Sequence, residues 1–208
     1  GFRAELFEKT VGLNGHAVIQ GYDGRLSGWE EIADAAKKTP GVTSALPLIE
    51  QPLMASANGR VEGVLVRGMR MQDIFSNKTI TSNVVAGDLK SVKPGNNVVA
   101  IGSRLAEALG AYPGSEISLI SPEGRSTVVG TVPRIVSYQV GAVFEVGVYD
   151  YDKAFVVMPM EDAQELLMMG DQVGIVEIQT SNPDKVQEIL APLQSVVRGR
   201  GVLVDWRQ

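Results

Sequence analysis

The chain has 208 residues, 44% of them hydrophobic, with 19 Lys and Arg against 24 Asp and Glu and no cysteine. That apolar fraction supports a buried core and excludes disorder, while a net charge of -5 leaves no dominant basic stripe to neutralise nucleic-acid phosphates. Without cysteine there is no thiol nucleophile, no Cys-ligated metal and no disulfide. No stretch approaches the ~18 apolar residues of a membrane span, and Gly1-Phe2-Arg3 opens no charged-then-apolar signal pattern. A start without Met, inside an amphipathic run, reads as a segment excised from a longer protein whose membrane spans would lie outside it.

Phe2, Leu6, Phe7 and Val11 recur at helical spacing with charged residues between them, which predicts a short helix ended by Gly12 and Gly15. Residues 16–22 predict a strand, and 29–38 a helix capped by Ser27, with Ile32, Ala35 and Ala36 facing inward and Pro40-Gly41 stopping it. A strand over 42–49 completes a β-α-β unit. Asn58-Gly59 lies between apolar runs at 53–57 and 61–69 and is a two-residue hairpin signal. Residues 73–83 look irregular, 98–101 form a short buried strand, and 103–109 form a helix closed by Gly110. Strands follow over 116–121 and 135–146, with a long excursion between them, and another over 154–158.

A helix over 161–169 ends at Gly170, a strand covers 174–180, a helix covers 183–193 with Pro183 in its first turn, and a strand covers 202–206. This second β-α-β unit echoes the first. Two such halves can share one four-stranded antiparallel sheet with both helices on a single face. The expected class is therefore α+β: a discontinuous split β-α-β subdomain, 1–50 plus 173–208, with a β-rich insertion at 51–172.

Few residues invite catalysis. His16 is the single histidine and has no Ser or Asp pattern around it that would make a triad, so it reads as structural. Asp150 and Asp152 alternate with Tyr149 and Tyr151, which fits a strand end with one wet face better than a metal site, since no further oxygen ligands sit at loop spacing. Glu161 and Asp162 open a helix and complement its dipole. The glycines at 59–63 and 102–110 give neither GxGxxG nor a Walker lysine, so no nucleotide site is expected. A hydrolase built on Asp150, Asp152 and His16 lacks a nucleophile beside a base. The reading is of a non-catalytic module with no metal and no cofactor.

Two segments remain. Met158, Met160, Met168 and Met169 fill a core by default, or offer an adaptable docking face. The stretch from Pro122 to Pro133 reads as too long for a tight hairpin, and it places Val128, Val129 and Val132 where loops usually carry polar residues. A long surface loop and a protruding arm that docks a partner both fit it.

Taken together, Gly1-Phe-Arg-Ala-Glu-Leu with Gly12-Leu-Asn-Gly-His16, then Gly102-Ser-Arg-Leu-Ala-Glu-Ala-Leu-Gly110, Pro133-Arg134, and Phe144-Glu-Val-Gly-Val-Tyr-Asp-Tyr-Asp152 resemble the lipoprotein-releasing permeases of the LolC and LolE type. The resemblance is collinear over nearly the whole chain, and the central helix pattern also occurs in MacB-type efflux permeases. It implies an extracytoplasmic domain on the periplasmic face of the bacterial inner membrane, anchored by spans outside this segment. It implies a Porter-like part, the split sheet, and a Sabre-like part, the insertion. It also implies a β-hairpin arm, the hook, at 122–133, which binds a LolA-type periplasmic carrier chaperone. The partners implied are that carrier, a lipoprotein substrate, a second permease subunit and a LolD-type cytoplasmic ATPase, with no nucleic acid. Projected on this chain, the carrier-binding residues are Pro122, Arg125, Val128, Val129, Val132, Pro133, Arg134 and Ile135. The flanks depart from the family, reading Ser118, Ile135 and Val136, so LolC-type, LolE-type and fused subunits all remain open, as does a MacB-like efflux domain that binds an adaptor protein.

Overall fold

The computed structural model describes residues 17–205. The predicted N-terminal helix and His16 lie outside the described residues. The chain divides into two compact units, one of the described residues up to Leu48 and from Met169 onward, the other Ile49–Met168.

The first unit is built on four antiparallel strands. Strand β1 (Ala17–Gly21) pairs with β10 (Gly201–Asp205) on one side and β9 (Ile175–Thr180) on the other, and β9 pairs with the first part of β2 (Val42–Ala57). Helix α1 (Trp29–Lys37) packs on β9 and on α8 (Gln194–Val197), burying Ile32, Ala33 and Ala36. Ala33 thus takes the inward place expected of Ala35, which is half-buried. Ser27 is not the cap: the N-cap is Gly28, at φ 64, and no side chain caps the helix. The Ser27 hydroxyl instead accepts a hydrogen bond from Gln172 Nε2 at 2.6 Å. An ion pair between Arg200 and Glu31 at 2.9 Å also ties down the first turn. The helix predicted over 183–193 is broken: 3-10 turns at Pro183–Lys185 and Ala191–Leu193 flank α7 (Val186–Leu190), and α8 follows.

In the second unit the strand pairings close on themselves. The last part of β2 pairs with β3 (Arg60–Met69), β3 runs parallel to β8 (Phe155–Pro159), and β8 runs antiparallel to β5 (Val98–Gly102). Strand β5 lies parallel to β7 (Gly130–Phe144), which pairs with β6 (Glu116–Thr127), and β6 returns to β2 through Met54–Ile120, Ala55–Leu119 and Ser56–Ser118. Strand β4 (Val84–Gly87) adds to the end of β7. All residues of β5 and β8 are buried, which explains why their sequences read as unbroken apolar runs.

Three expectations need correcting here. The two strands predicted over 42–49 and 53–57 are one, because Pro47 and Pro52 are both accommodated within paired strand. Residues 73–83 are not irregular: α2 (Met71–Ser76) and α3 (Lys78–Thr81) occupy them, α3 being capped by the Asn77 side chain, which accepts from Ile80 N–H. The Tyr149–Asp152 segment is not a strand end but part of α5 (Tyr149–Ala154), where Tyr151 is buried and stacks on Phe155 at 4.7 Å.

The β2–β3 turn does more than reverse the chain. Asn58 and Gly59 take φ 55 and φ 73, as a two-residue turn matched to strand twist requires. The Asn58 amide donates to the carbonyls of Leu109 and Gly110, both at 2.9 Å. These belong to the C-terminal end of α4 (Ser103–Leu109), whose C-cap Gly110 is left-handed. Asn58→Ala is therefore expected to lose both bonds and strain the turn, lowering stability by about 1–3 kcal/mol. Asn58→Gly keeps the backbone freedom and should lose less. Urea unfolding of both variants checks the order.

Candidate functional site

Strands β6 and β7 form a hairpin whose two ends live in different surroundings. Near the core, β7 buries the alternating Tyr138, Val140, Ala142 and Phe144, with Val143 buried as well; on β6 Ile117 is buried opposite Tyr138, and Leu119 and Ser121 are buried opposite Val136 and Arg134. The same inward face continues outward along β7 through half-buried Val136 and Arg134 to exposed Val132. The register runs unbroken from Glu116–Gln139 to Ser121–Arg134 and resumes at Arg125–Val132. Between these pairs, residues 122–124 of β6 stand opposite Pro133 alone, a bulge.

Proline suits this place because Pro122 has no N–H to offer a ladder. Glycine at 124 is required for another reason: a Cβ there would collide with the Val132 carbonyl oxygen and crowd the Arg134 nitrogen. Beyond the bulge the strands pair again to Thr127–Gly130, leaving Val128 and Val129 as a two-residue tip. The Thr127 hydroxyl donates to the Gly130 carbonyl at 2.6 Å and closes the turn. The excursion expected to be too long for a tight hairpin is thus a tight hairpin with one bulge.

The sequence-derived site residues fall along this element. Val128 and Val129 are fully exposed at the tip, Ile135 is 63% exposed on the outward face, and Pro122, Val132 and Pro133 are exposed around the bulge. Arg125 lies in β6 opposite Val132. Arg134 differs from the rest. Its guanidinium stands 3.9 Å from Glu165 of α6 (Met160–Leu166), and its Nε is buried without a hydrogen-bond partner among the described residues. Arg134, Thr127, Val132, Pro133 and Met168 line a cavity of about 310 Å³ on the inward side of the hairpin. The methionines divide accordingly: Met158 and Met169 are buried, whereas Met168, at φ 55, is half exposed against that cavity.

Sequence reasoning missed the role of the buried acids. Asp152 accepts from the N–H groups of Val146 and Gly147 at 2.8 and 3.1 Å and holds the loop before α5. Asp162 is more than a complement to a helix dipole. It is buried, its Oδ1 accepts from Gly95 N–H at 2.8 Å, and its Oδ2 makes no hydrogen bond among the described residues. Burial raises its pKa above the ordinary 3.8, with the neighbouring Glu161 and Glu165 charges adding to the rise and the Gly95 and Asn97 N–H groups opposing it. Tyr138 is pushed up too, first by its burial and then by the nearby Asp162 charge. Among the described residues no three or more His, Asp or Glu are grouped to hold a metal, and no helix is long and apolar enough to cross a membrane.

Residues 4–196 match the MacB-like periplasmic core domain family. The chain belongs to that family. It is 26% identical over 207 residues to the lipoprotein-releasing system transmembrane protein LolC of Neisseria meningitidis serogroup B, covering 99% of this chain and 50% of that protein. LolC of Xylella fastidiosa strain Temecula1 is 25% identical over 206 residues, 99% of this chain and 49% of that protein. The chain therefore spans about half the length of these relatives, which bear out the resemblance to the LolC and LolE type. Among solved structures, the periplasmic region of MacB from Actinobacillus actinomycetemcomitans superposes with a TM-score of 0.57 at 12% identity, covering 98% of this chain and 94% of that one. The extracellular domain of the noncanonic ABC-type transporter YknZ from Gram-positive bacteria gives 0.58 at 14% identity, covering 90% and 97%. At such identities the likeness is one of fold: the α+β family domain, with a split sheet interrupted by a β-rich insertion.

Two outcomes test this geometry. Gly124→Val should disrupt pairing above the bulge while leaving the unfolding midpoint of the family domain nearly unchanged, because the Thr127–Gly130 end buries little; loss of cross-strand contacts between 125 and 132 in NMR spectra reads it. Asp162 gives a pH dependence of defined sign. The folded chain holds its proton more tightly than the unfolded chain, so stability is unpenalised below 3.8, falls as pH rises through the raised folded value, and stays lower above it. In Asp162→Asn that decline should vanish from thermal midpoints followed between about pH 4 and pH 8.

Proposed function

We propose that this chain is the periplasmic domain of an inner-membrane ABC transporter permease subunit that releases lipoproteins and passes them to a soluble carrier through the β6–β7 hairpin. The observation that carries the reading is the pair Val128 and Val129, wholly in solvent at the end of a ladder that pairs again beyond its bulge, in a chain whose relatives are lipoprotein-releasing proteins. An isolated domain gains nothing by displaying such side chains, whereas a partner that covers them gains about 1.5–3 kcal/mol for each valine buried.

In this reading residues 1–50 with 173–208 are the Porter-like subdomain, and 51–172 the Sabre-like subdomain that carries the hook. Val128, Val129 and Val132 supply the apolar contact, Pro122 and Pro133 stiffen the arm's base, Arg125, Arg134 and Ile135 flank it, and the LolA-type carrier is the partner. The domain does no chemistry of its own. ATP is hydrolysed on a LolD-type cytoplasmic subunit, and a second permease subunit and membrane spans outside this segment complete the assembly. The efflux alternative, a MacB-like domain that binds an adaptor, draws on the family match and the shared fold, whereas the curated relatives are lipoprotein-releasing proteins.

Replacing residues 124–132 by a short Gly-Ser turn should leave the circular dichroism spectrum native and reduce carrier affinity beyond detection by calorimetry. Arg134→Ala should mainly speed dissociation, because a desolvated charge-assisted contact acts on the off-rate. Unchanged affinity in the folded loop replacement would show that the hairpin is not the carrier's docking element.

A further inference from the structure

Asn58-Gly59 is a chemically reactive pair as well as a turn. An asparagine followed by glycine is the dipeptide most prone to deamidation, because glycine leaves its own backbone nitrogen unhindered for attack on the side-chain amide. Asn58 is exposed to water, the other reactant. Two features of the fold oppose the reaction. Both residues have positive φ, 55 and 73, in a two-residue loop between Ala57 and Arg60, which is a type I′ turn with ψ of about +30° at its first position. The Gly59 nitrogen comes within bonding reach of Asn58 Cγ only when ψ turns far from this value, and that opens the turn. The leaving group is also engaged, since Asn58 Nδ2 donates to the carbonyls of Leu109 and Gly110, both at 2.9 Å. Beside it, Arg60 Nη1 reaches the carbonyls of Glu107 and Ala108 at 3.4 and 3.3 Å. Two residues of one turn thus clasp four successive carbonyls at the end of α4, where intrahelical donors run out.

We propose that Asn58 is a hydrolytic modification site that the clasp on α4 holds shut, so that each opening of the β2–β3 turn exposes it to irreversible deamidation. In the opened turn the Gly59 nitrogen bonds to Asn58 Cγ, the Cγ–Nδ2 bond breaks, and ammonia leaves with the proton from the Gly59 nitrogen. Water then adds to one carbonyl of the cyclic imide and a ring C–N bond breaks, giving aspartate or isoaspartate; nothing is oxidised or reduced. Neither product can refasten the clasp. Aspartate has no N–H to give and sets its carboxylate oxygens against two carbonyl oxygens. Isoaspartate lengthens the turn by one backbone atom, and β2 cannot slide to absorb it because its other edge is paired with β6. The native rate of modification is the open-state rate multiplied by the fraction of time the turn is open, so the site records local opening of the second unit. None of this depends on the transport reading.

The test incubates the 208-residue chain in mildly alkaline buffer, with and without urea, and follows deamidation by mass spectrometry of its peptides. Rates are read peptide by peptide, because Asn14-Gly15 is a second Asn-Gly in the sequence. Asn58 should deamidate at least tenfold faster in urea than in the native chain. Gly110→Ala opens the clasp without touching the reactive pair. Its Cβ would stand 3.4 Å from Asn58 Nδ2 and 3.3 Å from Arg60 Nη1, on a residue whose φ of 64 disfavours any side chain. The folded variant should deamidate at Asn58 at least tenfold faster than wild type under native conditions. Where Gly110→Ala fails a circular dichroism check of folding, Arg60→Gln takes its place with the same expected direction. Asn58→Asp, the product made directly, should have a lower urea midpoint than Asn58→Gly. A native rate equal to that in urea shows that the fold does not hold the site shut and overturns the proposal. A rate that the folded clasp variant leaves unchanged overturns it as well, and so does an Asn58→Asp chain as stable as wild type.

Discussion

Cross-strand hydrogen bonding between β6 and β7 satisfies the backbone of a hairpin that has solvent around its far end. A peptide segment with apolar side chains and unpaired N–H and C=O groups would collapse onto the nearest surface; here each strand meets the other's polar backbone needs, so the side chains are free to be apolar and still stand apart. The ladder holds because its near end is anchored from three directions, with β6 paired to β2 and the far part of β7 paired to β5 and β4. Everything in the candidate site, from the exposed valines to the cavity under Arg134, inherits its position from that anchoring.

How much of this could be read in the sequence depends on the range of the forces involved. Local chemistry was legible: Asn58-Gly59 as a turn, Gly110 as a helix stop, and residues 98–101 as a buried strand all follow from a few neighbouring residues. Ser27 failed as a cap because a residue far along the chain, Gln172, engages its hydroxyl, and Gly28 supplies the turn into the helix instead. The short α5 was hidden because alternating Tyr and Asp mimic a half-buried strand; burial of Tyr151 against Phe155 decides the matter, and that contact is tertiary. At the arm, the valines and prolines marked the place, but pairing across a three-against-one bulge has no signature in composition.

The acidic residues teach a related lesson. Asp150, Asp152, Glu161 and Asp162 look alike in sequence, two pairs of carboxylates near glycine or a helix start. In the fold Glu161 is exposed, whereas Asp152 and Asp162 are buried: Asp152 accepts from two N–H groups of the loop just before its own helix, and Asp162 uses one oxygen to accept from Gly95 N–H far along the chain. Which carboxylate is a tether and which is ordinary surface charge is decided by burial alone. That Asp162 retains an unsatisfied oxygen beside the charged Glu165, itself the distant partner of Arg134, links the electrostatics of α6 to the foot of the hairpin.

The bulge at 122–124 has a consequence for how such an arm can change. It inserts two more residues into β6 than β7 spends over the same interval, an even number, so strand positions on either side of it keep the same sense of inward and outward. Growth or shrinkage of the arm by pairs of residues at this point preserves which positions look toward the cavity and which look away. A change by one would exchange the two sides and turn the apolar face around. The reach of the arm is thereby adjustable in discrete steps of constant orientation, a form of variation that leaves the buried strands below untouched.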